Sequence, residues 1–130
     1  MVDYIVADFK KGRVALDESI GAMIVCDSAA QAREVDAQLN RLAAYTHALV
    51  LHDEGTKQDR KDIQEDFKKG NIDILVVYNM LLTGFDAPRL KRLYFGRKLK
   101  DHNLLQAITR VNRPYKNNRY GYVIDFADIK

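Results

Sequence analysis

A chain of 130 residues is the length of one domain, and its 47% hydrophobic and 30% charged residues are the balance of a globular protein able to bury its own core. No apolar run approaches the ~20 residues that a membrane span requires. The N-terminal MVDYIVADFKKG mixes acids with its apolar residues and lacks the small-residue cleavage pattern of a secretory signal. A single cysteine, Cys26, allows no internal disulfide, so a cytoplasmic setting is expected, with Cys26 a small core residue. The net charge of +3 hides a division. Between Arg89 and Arg119 stand ten basic residues (Arg89, Lys91, Arg92, Arg97, Lys98, Lys100, Arg110, Arg113, Lys116, Arg119) against one acid, Asp101, while the rest of the chain has 11 bases and 17 acids, a net of −6. A basic third on an acidic domain points to an anionic partner, nucleotide phosphate or nucleic acid; a solvated basic surface is the other reading.

In chain order, residues 3–11 (DYIVADFKK) predict a short helix ended by Gly12, and 12–20 a linker. Residues 1–20 are therefore expected to be an N-terminal helix and linker ahead of one domain over 21–130. AMIVCD, Ala22 to Asp27, is a continuous apolar run of the kind that forms a strand buried on both faces. Ser28 can cap a helix from about Ala29 to Tyr45, along which Ala32, Val35, Leu39 and Leu42 recur at helical spacing. Ala48 to His52 is a second strand. Thr56 can cap a helix to about Lys69, with Ile63 and Phe67 on one face and Gly70 at its end. Asp73 to Tyr78, Arg92 to Gly96 and Tyr120 to Phe126 are further strands; residues 101–111 read as a helix, stopped before Pro114. Strands alternating with helices predict an α/β fold: a parallel sheet with helices on both faces. Ligands of such sheets bind beyond the carboxyl ends of the strands. Function is therefore expected at Ser28, in His52 to Thr56, in Asn79 to Asp86 and in Arg97 to His102.

Two constellations can carry chemistry. In QAITRVNR, Gln106, Arg110 and Arg113 share one helix face, an array of guanidinium groups and an amide suited to phosphate oxygens. The plain alternative is a solvated basic face. In YNMLLTGFDAP, Gly84 allows a turn or a close approach to a ligand and Asp86 could accept from a ribose hydroxyl or hold an arginine; the alternative is an ordinary turn punctuated by Gly and Pro. The sequence has no phosphate-binding loop of the Gly-x-x-x-x-Gly-Lys-Ser/Thr type. His47, His52 and His102 with one cysteine make no credible zinc set, so no metal site is expected within the chain.

The stretch LHDEGTKQDRKDIQEDFKKGNIDILVVYNMLLTGFDAP resembles superfamily 2 helicases from their second strand to motif V; QAITRVNRPY resembles their motif VI and IVCDSAAQARE their motif IV. The order holds over about residues 21–126. The wording LLTGFDAP, GRKLKDHNLLQAITRVNRPY and YGYVIDF is most similar to the motor (R) subunit of type I restriction enzymes. The resemblance implies a RecA-like fold, the second of a motor's two ATPase domains. It implies ATP-driven translocation of double-stranded DNA, with ATP and Mg2+ bound mainly by a first RecA-like domain of the same polypeptide, and modification and specificity subunits as further partners. Carried over residue by residue, Arg110 and Arg113 act on the phosphates in catalysis, Gly84, Asp86 and Gln106 meet ATP, and Ser28, Thr56, Arg60 and Asn79 meet DNA. The chain alone is expected to be inactive as an ATPase or nuclease. Tyr78, Thr83 and Ala107 depart from residues common in other helicases, which favours the restriction motor over an RNA helicase. Other superfamily 2 helicases, and a non-catalytic nucleic-acid-binding module using the basic third, are the alternatives.

Overall fold

A computed structural model of the chain describes residues 2–15, 19–26, 28–43, 45–51, 57–78, 89–95 and 122–125. Their elements run in the order α1 (Val2–Ala15), β1 (Gly21–Cys26), α2 (Ala29–Leu42), β2 (His47–Val50), α3 (Lys57–Lys69), β3 (Ile74–Tyr78), β4 (Leu90–Phe95) and β5 (Tyr122–Asp125). The strands form one five-stranded sheet in the order β2-β3-β1-β4-β5, and every pairing is parallel.

Strict alternation sorts the side chains of the sheet to its two faces. On β1, Ala22, Ile24 and Cys26 join Ile74, Val76 and Tyr94 in a core completed by Val2, Ile5 and Phe9 of α1 and Ala32, Val35 and Leu39 of α2. Met23 and Val25 point the other way, with Leu75, Val77, Leu93 and Phe67 of α3. Coverage of both faces is why β1 and β3 read as unbroken apolar runs. Cys26 is buried in the first core, as expected of it.

The helix ends follow local chemistry. Ser28 is the N-cap of α2: its backbone is extended and its Oγ accepts from the Gln31 N–H at 3.0 Å. The helix stops three residues short of the predicted Tyr45. Ala43 takes a left-handed conformation, φ 49°, and its N–H donates to the Leu39 carbonyl. The chain then turns so that the Tyr45 ring meets Phe9 edge-on, 5.0 Å between centroids. Leu42, predicted to join the apolar stripe, is 41% exposed beyond that turn. Gly70 ends α3 as expected: φ is +89°, its N–H reaches the Phe67 carbonyl, and Asn71 N–H reaches Asp66, the paired bonds of a Schellman cap.

Two further expectations are corrected. Gly12 does not end the first helix, which continues to Ala15, so the predicted linker 12–20 begins as helix. Gly12 is a contact glycine: a Cβ there would stand 2.7 Å from Nε and Nη2 of Arg92, which lies across the helix. The second concerns the basic third. Arg89, Lys91 and Arg92 are 4%, 0% and 9% exposed, so three of its ten bases are taken into the fold and are not free for an anionic partner. The sheet itself explains part of this. β1 and β4 slip register between Gly21↔Leu90 and Ala22↔Arg92, leaving Lys91 as the extra residue of a bulge. Burial pushes the Lys91 ammonium below its ordinary pKa.

Candidate functional site at the carboxyl edge of the sheet

Parallel register brings the ends of all five strands to one edge: Cys26 lies beside Tyr78, Val25 beside Phe95, Phe95 beside Asp125, and Val50 beside Val77. From β1 the chain leaves toward β2 on one side of the sheet; from β4 it leaves toward β5 on the other. The neighbours β1 and β4 therefore flank the switch point where such sheets open a crevice for ligands.

Ser28 stands just past β1 at this edge. Its oxygen already accepts from Gln31, but the hydroxyl proton remains available for donation, at the N-terminus of a 14-residue helix that carries no acid in its first turn. Arg60 is half-buried in the first turn and a half of α3. Because α2 packs with the first core and α3 with the second, Ser28 and Arg60 border the edge from opposite faces of the sheet. Thr56, Asn79, Gly84, Asp86, Gln106, Arg110 and Arg113 lie outside the described residues, as does the predicted helix 101–111. Among the described residues no group of three or more His, Cys, Asp or Glu side chains could hold a metal ion, and no helix is long and apolar enough to cross a membrane.

The opposite, amino edge holds a polar network that the sequence did not announce. Arg89 donates from Nε to the Ser19 carbonyl at 2.9 Å and from Nη1 to the carbonyls of Phe67 and Ile72 at 2.7 and 2.8 Å. Its Nη2 reaches the Asp73 carboxylate at 3.2 Å, and its guanidinium lies 4.9 Å over the Phe67 ring. Arg13 of α1 donates to the same Asp73 oxygen, whose partner oxygen accepts from Thr46 Oγ1 at 3.2 Å. A second group joins α1 to β4: the Asp8 carboxylate accepts from Arg92 at 3.4 Å and from the Tyr94 hydroxyl. Burial first, then the hydrogen bond to Asp8, pushes the Tyr94 phenol well above its ordinary pKa. The one signal for these groups in the sequence is charge at the start of an apolar strand, RLKRLYF, which is unfavourable in a core unless each charge is met.

The family description "Type I restriction enzyme subunit R domain 3" matches residues 11–128, nearly the whole chain. The chain belongs to this family. Curated relatives agree: the putative type I restriction enzyme MjaVIIP endonuclease subunit of Methanocaldococcus jannaschii is 53% identical over 64 residues, 48% of this chain and 6% of the relative. The SauCOLORF180P endonuclease subunit of Staphylococcus aureus is 41% identical over 71 residues, 54% of this chain and 8% of its own length. The chain thus matches only a small part of those endonuclease-subunit relatives. Among solved structures, the Pyrococcus furiosus Hef helicase domain superposes with a TM-score of 0.73 at 15% identity, over 95% of this chain and 25% of that one. Domain 2 of the DEAD-box helicase Mss116p, bound to an RNA duplex, gives 0.72 at 19% identity, over 95% and 48%. At such identities the likeness is one of fold, and the fold of this R-subunit domain is the RecA-like α/β fold of helicase domains.

Proposed function

We propose that this R-subunit domain is the second RecA-like domain of an ATP-dependent DNA-translocating motor in a type I restriction endonuclease, supplying motifs IV to VI to an ATP cleft and a DNA track. The observation that carries the reading is the family match over residues 11–128, joined to a parallel sheet whose strand ends share one edge. ATP, with Mg2+, would be bound mainly by a first RecA-like domain, and supplies the free energy of translocation. Gly84, Asp86 and Gln106 of this domain would close on the nucleotide, and Arg110 and Arg113 would neutralise charge developing on the transferred phosphoryl group. Ser28, Thr56, Arg60 and Asn79 would hold DNA phosphates, contacts that position the duplex without reading its sequence. The modification and specificity subunits of a type I complex, working in the cytoplasm, would be its partners. The rival reading, a non-catalytic module using its basic third to bind nucleic acid, is weakened because Arg89, Lys91 and Arg92 are buried.

The test is Arg113→Ala in a full-length R subunit carrying this domain. Loss of an arginine that stabilises the transition state costs roughly 10³- to 10⁵-fold in turnover, about 4 to 7 kcal/mol. Arg113→Lys is expected to restore little, since an ammonium does not reproduce the planar fork. Arg119→Ala, from the same basic third, is expected to keep near-normal turnover. DNA-stimulated ATP hydrolysis and melting temperature are measured together. Equal loss in Arg113→Ala and Arg119→Ala would sink the assignment.

A further inference from the structure

The sequence predicts a helix and a linker ahead of the domain, but the attachments of α1 give it another part to play. Arg13, near the end of α1, donates from Nε and Nη2 to the Ile20 carbonyl at 3.2 and 3.1 Å. Ile20 is the residue directly before β1, so the helix is bonded to the entrance of that strand. The Ile20 side chain is buried in the same core as Val2, Ile5 and Phe9. Nη2 of Arg13 also reaches the Asp73 carboxylate, one residue ahead of β3. Earlier on the helix, Asp8 accepts from Arg92 and Tyr94 of β4. The strands β3 and β4 are the two that flank β1 in the sheet. Helix α1 is therefore fastened to the start of β1 and to both of its neighbours. Gly12 permits the close approach, since a Cβ there would stand 2.7 Å from the Arg92 guanidinium.

A hinge forms where one side can turn without exposing buried groups or parting charges. Between α1 and β1 the conditions are the reverse. Swinging α1 away would expose Val2, Ile5 and Phe9 to water and part Asp8 from Arg92. It would also take Arg13 from the Ile20 carbonyl and from Asp73. We propose that α1 belongs to the moving body of the motor: as this domain opens and closes on the first RecA-like domain, α1 travels with the sheet, and the hinge between the two domains does not separate α1 from β1. The inference rests on the reading of this chain as the second ATPase domain of a motor. Its mechanical consequence is that a force on α1 reaches β3 and β4 together, on either side of β1.

Two measurements test it. In the 130-residue chain, amide hydrogen exchange is followed in rising urea. Helix α1 and strand β1 are expected to lose protection together, through one shared opening. An α1 that exchanges through a separate opening at lower urea, with β1 still protected, overturns the proposal. In a full-length R subunit, spin labels are placed at Lys10→Cys on α1 and Glu65→Cys on α3, both exposed and on helices that cover opposite faces of the sheet. A second pair, Glu65→Cys with a site on the first RecA-like domain, reports closure. Duplex DNA with a non-hydrolysable ATP analogue is expected to change the second distance and leave the first as it was. A first distance that changes along with the second overturns the proposal. If neither distance changes, the motor reading fails, and the exchange result alone decides whether α1 and the sheet are one body.

Discussion

Tyr94 ties β4 to α1 through one hydroxyl, and that bond makes a prediction about pH. The phenol donates to the Asp8 carboxylate, which also holds Arg92. Because burial and Asp8 raise its pKa, the folded protein keeps the phenolic proton at pH values where the unfolded chain, with a pKa of about 10, loses it. Above pH 10 the folded state therefore binds more protons, and this contribution to stability, fully present below pH 10, is lost as pH rises further. Tyr94→Phe is expected to cost about 1 kcal/mol at pH 8, the net worth of a buried hydrogen bond. The deficit is expected to shrink by pH 11, because the variant has no phenol at position 94 to ionise, while the other six tyrosines are common to both proteins. The lowered pKa of Lys91 acts with the opposite sign, stability rising with pH up to the ordinary lysine value, but it is common to both proteins and cancels in the difference. Urea unfolding of both proteins at the two pH values measures this; a deficit that does not change with pH would show that Tyr94 does not titrate as described.

At the scale of an element, α1 is held by an apolar stripe and two polar attachments. Val2, Ile5 and Phe9 are 1%, 0% and 0% exposed in the same core as α2 and the central strands. Asp8 reaches β4 and Arg13 reaches Asp73, while the Arg13 guanidinium lies 4.9 Å from the Phe9 ring centre and 5.0 Å from that of Tyr45. Phe9→Ala empties a closed site and is expected to destabilise the domain by about 3 to 5 kcal/mol. Tyr4→Ala, on the same helix but 49% exposed, is expected to change stability by less than about 0.5 kcal/mol. Thermal or denaturant melts of the two variants decide the matter. Similar small losses would mean that the helix is not docked as described.

For the whole molecule, the charge division sets what nucleic-acid binding can look like. With Arg89, Lys91 and Arg92 in the interior, at most seven of the ten bases counted between Arg89 and Arg119 can meet phosphates, and those seven lie outside the described residues. If this region supplies the contact, the slope of log affinity against log salt is expected to be no steeper than about −6, at 0.9 counterions per contact. Affinity is expected to be weak and indifferent to sequence, with Kd on the order of 10⁻⁴ to 10⁻⁶ M at physiological salt. Titration of duplex DNA with the chain at several salt concentrations reads both. Salt-independent binding, or strong preference for one sequence, would contradict the reading.

The order of the described strands and helices, the burial of β1 and β3 on both faces, the Ser28 and Gly70 caps, and the family were legible in the sequence. Each rests on a local signal: apolar runs, a capping hydroxyl, a glycine with positive φ, or motifs in a fixed order. The candidate site was legible as motif wording, and of its residues only Ser28 and Arg60 fall within the described part of the chain. What tertiary structure alone decided was the meaning of residues whose partners are remote in sequence. Gly12 reads locally as a helix end, yet it lies within the helix, where a Cβ would meet the guanidinium of Arg92, 80 positions along the chain. Leu42 reads as core, yet the turn at Ala43 leaves it exposed. Arg89, Lys91 and Arg92 read as a basic surface, yet they are buried. Arg89 and Arg92 are met there by Asp73 and Asp8, acids from the acidic remainder of the chain. A charge enters a core only where a counter-charge or a set of carbonyls awaits it, and which of these await is fixed by how distant segments pack, not by the neighbours along the chain.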